Sequence, residues 1–151
     1  MQNTKEILNR KAKFEYNFLQ GFEAGIMLTG TEVKSLRKGE GNLRDAYCLF
    51  SNQELYIKSL FIAEYDHGNL NNHETRRDRK LLLRKPELRK LEKKSVEKGL
   101  TIVPYRIFFS ERGFAKVELF LAQGKKSFDK RQNIKEKDAK RDLDRLKKLN
   151  G

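Results

Sequence analysis

Short runs of β-branched and aromatic residues, separated by turn sequences, most limit how this chain can fold. The run from Phe14 to Gln20 alternates apolar and polar residues with period two, which is typical of a half-buried strand. A second strand is predicted at 24–29. Four further runs predict two hairpins, one of 45–50 with 54–65 and one of 100–110 with 114–122. Successive hairpins leave exposed sheet edges, which small barrels hide by closing.

Two segments predict short helices. In the segment Gly30–Arg37, Val33 and Leu36 lie three residues apart, as on one helix face. A second helix begins near Pro86, which suits a first turn, and ends at Gly99. We therefore predict a mainly β fold, namely a closed antiparallel OB-like barrel of about six strands with two or three short helices.

The composition changes after Gly124. Residues 125–151 contain eleven Lys or Arg against five Asp or Glu, and their few apolar residues are too sparse to form a core. We predict two parts: an OB-like RNA-binding barrel with a basic N-terminal arm over 1–124, and a basic C-terminal tail over 125–151 that is disordered in isolation. Oppositely charged residues four apart, as in Glu136 and Lys140, indicate latent helical structure in this tail.

The net charge indicates the kind of partner. Lys and Arg total 34 against 21 Asp and Glu, a balance of +13 that favours a polyanion such as nucleic acid. No run approaches the roughly 20 apolar residues of a transmembrane helix, and no signal peptide is recognisable, so we expect a cytoplasmic protein with no membrane partner. The single cysteine, Cys48, agrees with a reducing compartment and is predicted to be a small buried residue.

No motif for catalysis, metal binding or phosphate-loop chemistry is present. The one alternative is the loop holding His67 and His73 near Asp66 and Glu74, which could supply an acid–base pair or metal ligands. Polar loops routinely contain such residues. We therefore favour a protein that is not an enzyme, with no cofactor, no metal and no small-molecule substrate.

Three basic clusters are the candidate RNA contacts. The densest, Arg76–Lys80, leads directly into Leu81-Leu82-Leu83; the first and last of these leucines are favoured as core. Guanidinium groups bind phosphate in a bidentate manner, which favours an RNA role for the arginines. The other two clusters are Asn9-Arg10-Lys11 and the segment 124–131.

Two acidic residues, Glu23 and Glu32, lie among these basic groups. An acid on an RNA-facing surface repels phosphate, so its presence needs a reason. Each could accept hydrogen bonds from base amino groups, orient a neighbouring cation, or be an ordinary surface charge. The sequence leaves these alternatives open.

Several motifs in one order resemble the SsrA-binding protein (SmpB) family. They are 9–12, Tyr16, 23–26, 30–37, 77–83, 124–126 and 129–131. The resemblance implies a closed OB barrel that binds the tRNA-like domain of tmRNA and delivers it to stalled ribosomes for trans-translation, in which the ribosome is rescued and the peptide tagged. It also implies that the tail becomes helical on the ribosome and senses the empty mRNA channel.

The resemblance also implies partners. These are tmRNA, the decoding region and mRNA channel of the small subunit of a stalled ribosome, and, indirectly through tmRNA, elongation factor Tu and alanyl-tRNA synthetase. The alternative is a general ribosomal-RNA or initiation-type OB-fold protein, which would show no preference for tmRNA.

The resemblance implies RNA-binding roles for Asn9, Glu23 and Leu82, and charge adds the remaining positions. The predicted RNA-binding residues are Asn9, Arg10, Lys11, Glu23, Glu32, Lys34, Arg37, Arg76, Arg77, Arg79, Lys80, Leu82, Lys125 and Lys126. The tail residues that the resemblance ties to the ribosome are Asp129, Lys130, Arg131 and Leu146.

Overall fold

A computed structural model describes residues 6–66 and 72–125, and these form nine strands and three helices. In chain order they are β1 Ile7–Leu8, α1 Arg10–Glu15, β2 Tyr16–Ile26, α2 Gly30–Arg37, β3 Gly41–Asn42, β4 Tyr47–Ser51, β5 Glu54–Lys58, β6 Phe61–Ile62, β7 Arg79–Leu82, α3 Lys85–Lys98, β8 Thr101–Phe109 and β9 Ala115–Gly124. No helix in these two ranges is long and apolar enough to cross a membrane.

Seven strands form one antiparallel sheet in the order β1-β8-β9-β2-β7-β5-β4, and β3 pairs with β6 separately. The prediction of a mainly β, antiparallel fold with a few short helices is confirmed. The predicted closure into a barrel is wrong for the described residues, because no ladder joins the edge strands β1 and β4. Strand β1 has only two residues and gives way to α1 at Arg10, so it offers little backbone to pair with a second edge.

The strand count also differs from about six. Three of the nine strands (β1, β3 and β6) are two residues long, too short for an alternating pattern to show. Strand β7 was missed because its charged residues favoured a surface cluster instead. The run 54–65 does not continue as one strand, because Ser59 adopts a φ of 61° and redirects the chain from β5 to β6.

Strand β2 runs unbroken through Gly21 and so joins the two runs, 14–20 and 24–29, that the sequence predicts as separate strands. A Cβ on Gly21 would lie 3.0 Å from the ring of Phe120 on β9, so the glycine makes room for that ring rather than a turn. A register shift between Phe18 and Gln20 also reverses the alternation. Phe18 therefore packs in a small cluster away from the main core, whereas Phe22 packs against the core.

The predicted hairpins and helix limits are confirmed where local chemistry decides them. Asn52 and Gln53 both take left-handed φ values, 52° and 65°, between β4 and β5, as a two-residue hairpin turn requires. Gly113 (φ 90°) turns β8 into β9. Helix α3 has Pro86 in its first turn and ends at Gly99 in the left-handed conformation.

The main core lies between one face of the large sheet and helices α2 and α3, which contribute Leu36 and Leu91. Leu81 of β7 is fully buried in it and Leu83 packs against it, as predicted. Cys48 also packs against this core, and burial raises the pKa of its thiol.

Candidate nucleic-acid interface

A buried ion pair joins α2 to β7. Glu32 and Arg79 have fully buried side chains, and Arg79 Nε lies 2.6 Å from Glu32 Oε2. Arg77 donates to both carboxylate oxygens, over 3.0 Å to Oε2 and 2.8 Å to Oε1. The Thr29 N–H donates to Oε1 over 2.8 Å, as part of a capping box at the start of α2. The carboxylate is thus surrounded by donors.

These donors keep Glu32 ionised. Burial alone raises the pKa of Glu32, because a charge is disfavoured away from water. Hydrogen bonds from Arg77, the Thr29 N–H and Arg79 act in the opposite direction and together outweigh burial. The pKa of Glu32 therefore lies below its ordinary value of 4.5.

Arg79 and Glu32 are two of the predicted RNA-binding residues, and neither side chain reaches the surface in this fold. Arg79 instead donates to the Leu60 carbonyl over 2.6 Å and to the Thr75 carbonyl over 3.2 Å, which ties β7 to the segments on either side of residues 67–71. Glu32 orients neighbouring cations, which is one of the alternatives that the sequence left open. The sequence signal for it was the Thr29-x-x-Glu32 capping pattern.

His73 is buried and uses both ring nitrogens. Nε2 donates to the Ile62 carbonyl, which can only accept, over 2.9 Å, and Nδ1 is hydrogen-bonded to the Thr31 hydroxyl, also over 2.9 Å. Neither nitrogen is left for a metal or for proton transfer. No group of three His, Cys, Asp or Glu suited to a metal occurs in the part of the chain that the structure describes, and His67 lies outside it.

On the outer face of the sheet, Glu23 and Leu82 lie on adjacent strands. Gly25 pairs with Leu82 on one side and Lys116 on the other, so these three residues form a row across β7, β2 and β9. Leu82 is 47% exposed, and Gly25 allows its side chain to lie close to the β2 backbone. Lys116 Nζ is 4.0 Å from a Glu23 carboxylate oxygen.

We define the central face as Glu23, Met27, Lys80, Leu82 and Lys116. Met27 is 52% exposed and its N–H donates to the Lys80 carbonyl, so the two residues are neighbours. The face is an apolar patch with a cation on each side and one carboxylate. Sequence reasoning found Glu23, Lys80 and Leu82 but missed Met27 and Lys116, which strand pairing alone places beside them.

Aromatic rings continue this outer face towards α1. Phe18 stacks on Phe120 with ring centroids 4.4 Å apart, and Tyr105 meets both rings edge-on. The Nζ of Lys13 lies 5.1 Å from the centre of the Tyr105 ring. These rings pack mainly on one another, so they support the face rather than offering free stacking surfaces.

The predicted cluster Asn9-Arg10-Lys11 lies elsewhere. The Asn9 side chain is largely buried and donates to the Pro104 carbonyl over 3.1 Å, which fixes the start of α1 on β8. Arg10 and Lys11 are exposed and line a groove of about 400 Å³ together with Arg44. The structure therefore does not bring this cluster to the central face.

The other predicted cations are mostly engaged. Arg37 stacks on Phe109 and donates to the Gly113 carbonyl over 3.0 Å, which holds the β8–β9 turn. Arg76 and Arg77 bond to Ser59 and Glu32, Lys34 lies over the Tyr65 ring, and Lys125 Nζ donates to the Lys13 carbonyl. Lys126, Asp129, Lys130, Arg131 and Leu146 lie outside the described residues.

Comparison with known proteins agrees on one family. The family model described as SmpB protein matches residues 6–149. The SsrA-binding protein of Phocaeicola vulgatus is 53% identical over 140 residues, which cover 93% of each chain. That of Cytophaga hutchinsonii is 52% identical over 151 residues, covering 96% of this chain and 99% of the relative.

A solved structure is similar as well. It comes from work on the bacterial ribosome described as "tmRNA-SmpB: a journey to the center of the bacterial ribosome". The chain in question is 51% identical to this one and superposes with a TM-score of 0.68. The match covers 82% of this chain and 85% of that chain.

Proposed function

Because the chain belongs to the SmpB protein family, we propose that it binds the tRNA-like domain of tmRNA and delivers tmRNA to stalled ribosomes for trans-translation. The observation that carries this proposal is the match over residues 6–149, which covers the candidate interface and nearly all of the tail. The solved relative described with tmRNA and the bacterial ribosome supports the same partners.

The central face suits a structured RNA. Leu82 and Met27 supply apolar surface that can pack on a base or sugar, and Lys80 and Lys116 can contact the phosphates on either side. The Glu23 carboxylate can accept hydrogen bonds from the amino group of a base, which gives a negatively charged residue a place on an RNA-binding surface. We propose that recognition of tmRNA is centred here.

The remaining parts of the proposal rest on what membership of the SmpB family implies. Residues 125–151 form the segment that becomes helical on the ribosome and senses the empty mRNA channel, with Asp129, Lys130, Arg131 and Leu146 as its determinants. The protein acts in the cytoplasm, catalyses no reaction and needs no cofactor. It meets elongation factor Tu and alanyl-tRNA synthetase only through the tmRNA.

Substitution of Leu82 by alanine tests the central face. Leu49 on β4 is a matched control because it is also an exposed leucine on a strand, with the same 47% exposure. We expect Leu82→Ala to weaken binding to the isolated tRNA-like domain about tenfold, which is about 1.4 kcal/mol, because it removes apolar surface that packs on the RNA, and Leu49→Ala to leave it unchanged. Equal effects of the two substitutions would place the RNA elsewhere.

A competition experiment tests the function itself. The labelled tRNA-like domain is bound to the full chain at physiological salt and challenged with ordinary tRNA. We expect a clear preference for the tmRNA fragment, and an affinity that falls steeply as salt rises. Equal and weak binding to both RNAs would instead favour the alternative, a general ribosomal-RNA or initiation-type protein.

A further inference from the structure

The chain leaves the sheet at a fixed point beside helix α1. Lys125 follows directly on β9, and its backbone N–H donates to the Glu15 carbonyl over 2.8 Å. The Lys125 side chain also donates to the Lys13 carbonyl, over 3.2 Å from Nζ. These two bonds hold the end of the described chain against the last turn of α1, and residues 126–151 start from there.

A cavity of about 130 Å³ lies at this point, where α1 faces strands β4 and β8. Glu15, which accepts the bond from the Lys125 N–H, is one of its lining residues, so the tail begins at the cavity rim. The apolar part of the lining is formed by Ala12, Tyr16, Ala46, Ile102 and Val103. An apolar cavity of roughly 150 Å³ can bind benzene, so this cavity is about the size of one phenyl ring.

Tyr47 borders the cavity with an uncovered aromatic face. Its side chain is 45% exposed, and its ring contacts no other ring in residues 6–66 or 72–125. The neighbouring lining residues Ala12 and Val103 are buried. A second ring placed here would cover Tyr47 on one side and pack on this apolar floor on the other, which is a favourable arrangement for an aromatic pair.

The tail supplies one aromatic residue within reach. Phe128 is the only apolar residue between Ala122 and Ile134, and it stands in a run of charged and polar residues. The three residues from Lys125 to Phe128 span at most about 10 Å. Because the starting point is at the cavity rim, this length is sufficient. The ring also gains free energy when it leaves water.

The residue after Phe128 matches a charge at the rim. Arg44 lines the cavity and is exposed, and its side chain makes no ion pair or hydrogen bond with any residue that the structure describes. Asp129 is the first acidic residue of the chain after Glu118. An exposed ion pair adds little free energy, so a pair of Asp129 with Arg44 would orient the segment, whereas burial of the ring would hold it.

We propose that the tail of the free protein docks on its own body, with the Phe128 ring in the cavity against Tyr47 and Asp129 beside Arg44. The bonds of Lys125 favour this docking, because a segment that is already fixed at one end loses less freedom when it is bound.

Docking gives residues 129–131 a place on the body in the free protein. The proposed function assigns these three residues to the ribosome, so docking has to be released when the small subunit offers them other contacts. The inference rests on the proposed function for this release alone, since the docking itself needs no partner.

Amide chemical shifts of the full chain, recorded by NMR without RNA, test the docking. The original chain is compared with Phe128→Ala. Ile134→Ala is the matched control, because it removes another isolated apolar side chain of the same tail. Both substitutions leave every residue of the cavity in place.

We expect Phe128→Ala to shift the amides of Tyr47 and Val103, because an aromatic ring in the cavity alters the magnetic field at its lining residues. Ile134→Ala should leave these two amides unchanged. Shift changes confined to the sequence neighbours of residue 128 would overturn the inference. Equal changes at Tyr47 and Val103 in the two variants would overturn it as well, since the effect would not then belong to the ring.

Failure of the docking and failure of the proposed function are separate results. The docking fails if the cavity amides do not respond to Phe128→Ala, even when the chain prefers tmRNA. The function fails if the unsubstituted chain shows no preference for tmRNA over ordinary tRNA, even when the cavity amides do respond.

Discussion

Replacement of Glu32 by glutamine should greatly lower the free energy of unfolding of this domain without changing its surface. Glutamine keeps the shape of the side chain but leaves the Arg79 guanidinium buried with no countercharge, since both groups are fully buried. Breaking a buried pair in this way costs about 3–5 kcal/mol. The lost bonds to Arg77, which is about one-third exposed, add little because solvent screens that charge.

That loss is large against a total stability of roughly 5–15 kcal/mol for an ordinary domain. Urea unfolding followed by circular dichroism at pH 7 measures it directly. With an m-value of about 2 kcal/mol per molar urea, the midpoint should fall by about 2 M. Glu23→Gln is the control, because that carboxylate is exposed and only 4.0 Å from Lys116; its effect should stay within about 0.5 kcal/mol.

A double-substitution cycle identifies the cause of the stability lost in Glu32→Gln. If the cost of Glu32→Gln comes from the uncompensated charge of Arg79, then Arg79→Met should destabilise the Glu32→Gln protein less than it destabilises the original chain. An equal cost of Arg79→Met in both backgrounds, or a loss below about 1 kcal/mol for Glu32→Gln alone, would refute the reasoning.

Three further outcomes are expected. The pKa of Glu32 in the folded chain lies below its ordinary value of 4.5. Its contribution to the free energy of unfolding is therefore complete above the ordinary pKa and is lost as pH falls through the folded-state pKa. Urea midpoints between pH 7 and pH 3 should consequently drop more for the original chain than for Glu32→Gln. Gly41→Ala should cost about 1–3 kcal/mol in the same assay, since its Cβ would press on Ile7 and on the Phe61 carbonyl, and a neutral result would mean that β1 and β3 separate easily. Burial raises the pKa of the Cys48 thiol, so it should react with a disulfide reagent much more slowly in the folded chain than in urea, and equal rates would contradict its packing against the core.

The sequence was sufficient where neighbouring residues decide the structure. Pro86 and Gly99 mark the ends of α3 because each has a backbone preference that suits one helix end. Asn52 and Gln53 turn the β4–β5 hairpin for a similar reason, since they adopt left-handed backbone angles between two apolar runs. These features need no information from distant parts of the chain.

The features that the sequence did not predict depend on residues that are far apart in the chain. The runs on either side of Gly21 were predicted as separate strands, but they form one strand, in which Gly21 makes room for the Phe120 ring, 99 positions later. Arg79 was predicted to contact RNA, and only the fold places it against Glu32, 47 positions earlier. Charged residues in a basic run have no local mark that separates a buried pair from a surface cluster, so that part of the site could not be predicted.

The pairing of β2 with β9 has a consequence for how the chain folds. The ladder joins Tyr16 to Gly124 and Gly25 to Lys116, whereas β2 has only a two-residue ladder with β7 on its other side. The middle of the sheet therefore cannot form on the ribosome that makes this protein until synthesis has passed residue 124. Local hairpins such as β4–β5 can form early, and we expect the slow, entropically costly step to be the pairing of β2 with β9, because it closes a loop of most of the chain.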